Sequence, residues 1–119
     1  MIFESVVAFL KSNNITIFPS TLPEKVEEGI TYELISEIEE STHQGRCGAS
    51  EETYQFNFWA DRHVRSSQLY LSVDNLFKAF KGNMSGTNIA WIEKISLRSV
   101  HDKEANKYGI QVEYKFYVN

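Results

Sequence analysis

Near the middle of this chain, the spacing of apolar residues changes from every second residue to about every 3.6 residues. This change of spacing constrains the fold most strongly. Tyr54, Phe56 and Phe58 alternate with largely polar residues, which is typical of a strand with one aromatic face. A helix is predicted over residues 66–81, because apolar residues recur there on one helical stripe. The stripe consists of Leu69, Val73, Leu76, Phe77 and Phe80. Gly82 marks the predicted helix end, and such a helix is expected to pack back on its own sheet.

The rest of the 119-residue chain is expected to complete a single domain over residues 1–119. An amphipathic helix is predicted over residues 2–12. The predicted strands span residues 30–39, 53–58, 89–97 and 110–118, with connections at 19–29, 41–50, 82–87 and 99–107. Neither strand pair has a helix between its members, so each is expected to be an antiparallel hairpin. The prediction is an α+β fold in the order α-β-β-α-β-β: a four-stranded, mainly antiparallel sheet with two helices packed on one face.

Alternation also assigns the side chains of two strands to faces. Leu34 and Ile38 are expected on one face with Tyr32, and Ile35 on the other. In the strand over residues 89–97, four apolar residues are expected to share one face with Glu93: Ile89, Trp91, Ile95 and Leu97. We interpret Trp59 and Trp91 as core or core-edge residues rather than as platforms on which nucleic-acid bases stack.

Charge is distributed unevenly along the chain, whose formal net charge is −4. Residues 24–52 hold nine glutamates against Lys25 and Arg46, a balance of −7. Residues 53–119 hold six acids and nine bases, a balance of +3. Nucleic-acid binding needs Lys and Arg clustered on phosphates, so this distribution disfavours it. It favours a small body with two oppositely charged faces.

The residue types that carry chemistry form no catalytic or metal-binding motif in this sequence. His43 and Cys47 share one segment, but two ligands do not close a zinc site, and a nucleophilic thiol needs an activating base. We interpret Cys47 as an incidental loop thiol, and His63 and His101 as exposed or locally capped histidines. The sequence therefore predicts no enzyme, no cofactor and no metal site.

Composition is typical of a globular protein, with 42% apolar and 24% charged residues. A single cysteine excludes an internal disulfide framework and favours a reducing, cytoplasmic setting. No window approaches 18 consecutive apolar residues, and the N-terminal residues lack the pattern of a signal peptide. We therefore expect no membrane contact.

Several motifs follow one another in an order that is familiar from one family. A strand over residues 30–36 precedes a glycine-containing segment. A second strand ends in Trp-Ala at 59–60 and leads into the long helix, which ends in Phe-Lys-Gly at 80–82. Strands at 89–97 and 108–118 close the domain. In this order the sequence resembles the phage tail-completion family, the small tail terminator and head–tail joining proteins formerly classed as a domain of unknown function.

The resemblance implies structural work rather than catalysis. Members of the family form rings, usually hexameric, that end the tail tube and join it to the capsid, while DNA passes through the lumen. The partners implied are further copies of this chain, the tail tube and the head–tail connector, without specific nucleic-acid binding. The location implied is the host cytoplasm during assembly and then the virion, at the head–tail junction.

A ring needs two different, complementary faces on each copy. Seven residues around the acidic segment are expected at a copy–copy interface or in the lumen: Glu37, Glu39, Glu40, His43, Arg46, Glu51 and Glu52. The last strand is expected at a sheet edge, where Tyr114, Phe116 and Tyr117 would pair with a neighbouring copy.

Two other interpretations stay open. One is a small α+β enzyme or ligand-binding protein with a pocket between helix and sheet. It requires a polar group within the apolar face, and Glu93 is the one candidate that the pattern offers. The other is a host protein-interaction module that forms no ring.

Overall fold

A computed structural model describes residues 2–42 and 45–119 of the chain, with the side chains of residues 39–49 outside the description. Two helices and six strands lie in these residues. In chain order they are α1 (Phe3–Ser12), β1 (Ile17–Pro19), β2 (Gly29–Thr42), β3 (Gly45–Ala60), α2 (His63–Phe77), β4 (Gly82–Met84), β5 (Thr87–Asp102) and β6 (Lys107–Val118).

All six strands belong to one sheet, in the order β1-β2-β3-β6-β5-β4. The two long hairpins β2–β3 and β5–β6 form its body, with β3 and β6 antiparallel at the centre. Strand β1 pairs with β2 in parallel, and β4 pairs with β5 antiparallel. The predicted α+β class and both hairpins are confirmed. The predicted four-stranded sheet is wrong, because a three-residue strand adds to each side of the two hairpins.

The hydrophobic core lies between the sheet and both helices. Unbroken pairing of β3 with β6 keeps Phe56 and Tyr114 on the helix-covered face, where both are buried. Leu10 of α1 and Phe77 of α2 belong to the same core, so both helices pack on one face, as predicted. The Phe77 ring meets three aromatic rings edge-on, with centroid distances of 5.1–5.7 Å to Phe56, Tyr114 and Phe116. Such edge-to-face pairs stabilise a core beyond the burial of their area.

Helix α2 ends at Phe77, four residues before the predicted end. Lys78 is already extended, although its N–H still bonds to the Asp74 carbonyl at 2.8 Å. Ala79 adopts the left-handed conformation, with φ of 59°, that was expected of a glycine at the helix end. Gly82 instead opens β4, where it pairs with Ile89 at the side of the sheet. The predicted connection over residues 82–87 therefore contains a strand.

The face prediction for β5 is wrong, because two register shifts interrupt its pairing with β6. Trp91 lies opposite Tyr117, and the next pair along that face is Glu93 opposite Lys115, both on the face away from the helices. Leu97 returns to the helix-covered face. Each bulge adds one residue, which reverses the alternation after it. Glu93 therefore lies on a polar face and is no exception within the core.

A third register shift, between Leu34 and Ser36 of β2, makes Ile35 an additional residue in that strand. Leu34 lies opposite Tyr54, on the helix-covered face. Ile38 lies opposite Glu51, on the other face. The prediction that Ile38 shares a face with Leu34 is therefore wrong, for the same physical reason as in β5.

The prediction that residues 41–50 form a connection is wrong, as far as the structure describes their backbone. Strand pairing in the β2–β3 hairpin continues to Ser41 with Arg46 and Thr42 with Gly45. Pairing of β3 with β6, in contrast, begins only at Ser50 and Val118. The hairpin therefore extends past the end of β6, and the chain measures 53 × 25 × 24 Å along its principal axes.

Candidate functional site

Of the seven residues predicted at an interface or lumen, three have described side chains, and they lie in different environments. Glu37 is exposed. Glu51 is half-buried on the face away from the helices, and its Oε2 lies 3.1 Å from the Lys115 ammonium. Glu52 is 3% exposed. The side chains of Glu39, Glu40, Arg46 and Cys47, and residue His43 as a whole, lie outside the described residues.

Glu52 has a structural role that the sequence did not indicate. Its carboxylate lies on the helix-covered face, where Oε1 accepts hydrogen bonds from the Ile2 N–H at 2.9 Å and from the Tyr54 hydroxyl at 2.7 Å. Burial, followed by this hydrogen bond, raises the pKa of Tyr54 above its ordinary value. Glu52 thus joins the start of α1 to β3, and its own side chain is not available at the surface.

The prediction that the last strand forms a sheet edge is wrong. Strand β6 pairs with β3 on one side and β5 on the other along its length. Tyr114 and Phe116 are buried in the core. Tyr117 lies on the opposite face, where its ring packs at a tilt against Trp91 with centroids 4.2 Å apart. A strand with paired backbone on both sides cannot add a strand from a neighbouring copy.

The unpaired backbone lies on β2 and β5 instead. Strand β1 covers β2 only at residues 30–32, and β4 covers β5 only at residues 87–89. Among the described residues, no strand covers the outer side of β2 after Tyr32 or of β5 after Ile89. We call β2 residues 33–42 the β2 open edge and β5 residues 90–102 the β5 open edge. The two edges lie on opposite sides of one sheet.

Both open edges carry large apolar side chains that face solvent. Six of the eight large hydrophobic residues that are exposed in the described chain lie on them, each with 40–53% of its surface accessible. They are Leu34, Ile35 and Ile38 on the β2 open edge and Trp91, Ile95 and Leu97 on the β5 open edge. Exposed apolar residues that collect in this way mark interaction sites more often than scattered ones do.

The apolar side chains of the two edges have the same arrangement relative to the sheet. Leu34 on one edge and Leu97 on the other lie on the helix-covered face. Ile35 and Ile95 fall at the bulges. Ile38 and Trp91 lie on the face away from the helices, in one row that crosses the sheet through Glu51 and Tyr117. Each edge thus has three exposed apolar positions, and each position has a counterpart of the same kind on the other edge.

Charge differs between the two edges. The β2 open edge holds four glutamates and no Lys or Arg. Residues 94–101 of the β5 open edge hold Lys94 and Arg98 and no acidic residue, although Glu93 precedes and Asp102 follows this stretch. The β5 open edge as a whole is neutral, because Glu93 and Asp102 balance Lys94 and Arg98, so the β2 open edge is acidic and the β5 open edge carries no net charge.

A polar cluster lies between α2 and the sheet, within the otherwise apolar layer. The Tyr114 hydroxyl donates to Asp74 Oδ1 at 2.7 Å, and the Lys94 ammonium lies 3.2 Å from the same oxygen. Lys94 also donates to the Tyr70 hydroxyl. Burial, followed by the Asp74 hydrogen bond, raises the pKa of Tyr114. The hydrogen bond with Tyr70 raises the pKa of Lys94, so that Lys94 remains cationic beside Asp74.

This cluster borders a cavity of 210 Å³ together with Phe77, Lys78 and Ile92. Ligand pockets in proteins usually measure roughly 300–1,000 Å³, so the cavity is small for a metabolite. Among the described residues, no buried side-chain nitrogen or oxygen lacks a hydrogen-bond partner. The polar groups of the cluster therefore satisfy one another.

The remaining candidates for chemistry are dispersed. The His63 ring lies within 3.3 Å of the Ser99 hydroxyl, and the His101 ring stacks on Tyr108. In the part of the chain that the structure describes, no three His, Cys, Asp or Glu side chains are grouped closely enough to hold a metal ion. Trp91 is more than half exposed, which contradicts its interpretation as a core or core-edge residue. Neither described helix is long and apolar enough to cross a membrane.

Comparison with known proteins gives a similarity of fold. No family model matches the sequence, and no curated protein matches it. Among solved structures, the fold is similar to that of a chain in the virion of a native gene transfer agent (GTA) particle, with a TM-score of 0.68 and 9% sequence identity. The match covers 98% of this chain and 90% of that chain. At so low an identity, the similarity shows that the two chains share a fold.

Proposed function

We propose that this protein is a structural component of a phage or prophage virion: a tail terminator or head–tail joining protein. One observation carries the proposal, namely that nearly the whole chain shares its fold with a chain of a virion particle. The order of motifs along the sequence, which resembles the tail-completion family, supports the same role. In this role the protein is not an enzyme and needs no cofactor.

In the proposed role, copies of the chain form a ring, hexameric as in the family that the sequence resembles, which ends the tail tube and joins it to the capsid. A closed ring requires a head-to-tail contact between two different surfaces of each copy. The two open edges lie on opposite sides of one sheet and differ in charge, which supports such a contact. Copies would assemble in the host cytoplasm and remain at the head–tail junction, where DNA passes through the lumen without specific binding.

The protruding end of the β2–β3 hairpin, with Glu37, Glu39 and Glu40, is proposed to contact a neighbouring copy or to line the lumen. An acidic lining would let DNA pass without the counterion release that makes DNA bind. The triple variant Glu37→Gln, Glu39→Gln, Glu40→Gln separates the two possibilities. If sedimentation shows that this variant forms rings normally, the contact with a neighbour is contradicted. Impaired ring formation would support it.

The test of the proposed role is the position of the protein in virus particles. Particles released by cells that carry the gene are purified and labelled with gold-conjugated antibody against this chain. The expected result is one label per particle at the head–tail junction, seen by negative-stain electron microscopy. Particles without the chain, or with label spread over the capsid or along the tail, would overturn the proposed position.

A small ligand-binding protein or enzyme is the alternative, and one observation favours it. Asp74, Lys94 and Tyr114 form a polar cluster beside a cavity between helix and sheet, which is the feature that this alternative requires. The cavity is small, however, and the polar groups bond to each other. We therefore propose that the cluster is structural and that it holds α2 on the sheet.

A further inference from the structure

We infer that two copies of this chain join head to tail through the β2 open edge of one copy and the β5 open edge of the next. This inference rests on the proposed ring and names the surfaces that form it. The contact pairs Leu34, Ile35 and Ile38 of one copy with Trp91, Ile95 and Leu97 of its neighbour.

The direction of the strands permits this contact without inverting a copy. Across β2, β3, β6 and β5 each strand is antiparallel to the one beside it, so β2 and β5 run in opposite directions. Placing a second copy beside the first in the same orientation brings β5 against β2 as antiparallel neighbours. The helix-covered faces of both copies then lie on the same side.

The positions of the apolar side chains fit that arrangement. Ile38 and Trp91 lie in the same row of the sheet, so a second copy placed in the same orientation brings one close to the other. The two bulges flank the row through Tyr114, with Ile35 on one side of it and Ile95 on the other, so the two isoleucines lie about one row apart. Leu34 and Leu97 both lie on the helix-covered face, but Leu97 is in the row of Tyr32, where β1 covers β2, so it lies at the end of the contact next to β1 of the neighbouring copy. The contact thus brings the exposed apolar side chains of the two edges into one region, in which Ile38 lies directly opposite Trp91.

Charge favours this pairing over a contact between two identical edges. Two β2 open edges would bring two sets of four glutamates together, and like charges on facing strands are destabilising. In the head-to-tail contact, the four β2 glutamates instead meet an edge of zero net charge, on which Arg98 is exposed and Lys94 is paired with Asp74 of its own copy. The head-to-tail contact therefore avoids the repulsion between two acidic edges.

Bulges and charged residues on a sheet edge often serve to prevent pairing, and both open edges have them. That purpose alone does not account for three exposed apolar side chains on each edge, which promote association. The combination fits a contact made mainly by side chains, in which bulges limit uncontrolled extension of the sheet and the apolar residues select the neighbour.

The test uses one disrupted edge at a time. Ile35→Asp places a charge on the β2 open edge, and Ile95→Asp places one on the β5 open edge. Each variant is expected to raise the concentration at half-assembly by about tenfold or more, because a charge is buried among apolar side chains. Assembly is measured by sedimentation velocity at rising protein concentration. Val64→Asp, at a 68% exposed position of α2 outside both edges, is the matched control and should assemble like the wild type.

Mixing the two variants tests whether the contact is head to tail. The Ile35→Asp copy keeps an intact β5 open edge, and the Ile95→Asp copy keeps an intact β2 open edge. An equimolar mixture should therefore form dimers and nothing larger, since a single intact contact remains in each pair. If one variant assembles alone as well as the wild type, or if the mixture stays monomeric, the head-to-tail pairing is wrong.

A second pair of edge variants tests the contact in case the isoleucine variants fail to fold. Glu33→Lys and Arg98→Glu change exposed charges, the second with loss of the Arg98 hydrogen bond to Gln111, and should each weaken assembly, while circular dichroism confirms the fold. Wild-type rings together with normal assembly of all four edge variants would overturn the edge contact and leave the proposed role intact. A wild-type chain that stays monomeric at all concentrations would contradict the ring itself, and antibody labelling then shows whether the virion role survives.

Discussion

The Tyr114 hydroxyl donates a hydrogen bond of 2.7 Å to Asp74, and this bond ties the central strand β6 to helix α2. Lys94 of β5 lies 3.2 Å from the same carboxylate oxygen. One side chain of α2 thus holds two strands of the sheet. Because the cluster is partly buried, its contribution to stability should exceed that of an ion pair on the surface.

Asp74→Ala is predicted to lower the free energy of unfolding by about 1–3 kcal/mol, because Tyr114 and Lys94 lose their shared acceptor. The measurement is urea denaturation followed by circular dichroism. Asp61→Ala is the matched control: Asp61 pairs with Lys107 at 2.7 Å, but its side chain is 63% exposed. That variant should change stability by less than about 1 kcal/mol. Equal effects of the two substitutions would contradict a special role of the cluster.

Stability should fall at alkaline pH because of two buried phenols. Burial raises the pKa of Tyr54 and of Tyr114, so the folded protein keeps both protons where the unfolded chain, with tyrosine pKa values near 10, has lost them. The stabilisation is therefore complete below about pH 10 and decreases above it. Each phenol should contribute about 1.4 kcal/mol per pH unit to the decrease.

Denaturation curves between pH 9 and pH 11.5 measure this effect. Tyr54→Phe and Tyr114→Phe should each reduce the slope of unfolding free energy against pH, whatever they do to stability at neutral pH. Tyr108→Phe is the control, since Tyr108 lies on a half-buried part of the sheet. Slopes that are unchanged in both buried variants would show that these phenols do not cause the alkaline loss.

Glu52 is predicted to stabilise the N-terminal helix. Glu52→Ala removes the acceptor for the Ile2 N–H and for the Tyr54 hydroxyl, and should lower the free energy of unfolding by about 2 kcal/mol or more. Amide hydrogen exchange over residues 2–12 should become faster. Glu33→Ala, at an exposed position of β2, should change stability by about 0.5 kcal/mol or less. Normal exchange in the Glu52 variant would contradict its anchoring role.

The central part of the fold could be predicted from the sequence, because alternation is unbroken there. β3 and β6 pair without a register shift, so Phe56, Phe58 and Phe116 lie on the face that alternation assigns to them. The outer strands β2 and β5 could not be predicted in this way. A bulge adds a single residue: in the sequence Ile35 appears as an apolar residue out of step, whereas Ile95 appears in step with Trp91 and Leu97, so alternation does not reveal its bulge.

The candidate site was predictable only in part, for two reasons. Its acidic character is visible in the sequence, but the burial of Glu52 depends on a contact with Ile2, fifty residues away. The open edges depend on how far the short strands β1 and β4 extend along their neighbours, which three-residue segments do not reveal. An apolar residue between two glutamates, as Ile38 between Glu37 and Glu39, is the signal that could have indicated an exposed apolar position.

The close approach of Trp59 to Gly109 provides the last prediction. A Cβ atom at Gly109 would lie 2.8 Å from the Trp59 ring and 2.9 Å from the Val100 side chain, closer than real contacts allow. Gly109→Ala should therefore displace the indole, weaken its 3.3 Å hydrogen bond to Thr31, and lower the free energy of unfolding by about 1–3 kcal/mol.

A double-mutant cycle with Trp59→Leu tests this cause, because the smaller side chain leaves room for the new methyl group. Gly109→Ala should destabilise the Trp59→Leu background by about 1 kcal/mol less than it destabilises the wild type, measured by urea denaturation. Equal losses in both backgrounds would mean that the indole is not the obstacle. Val100→Ala in place of Trp59→Leu then measures how much of the loss arises from the contact with Val100, the other side chain within 3 Å of the new atom.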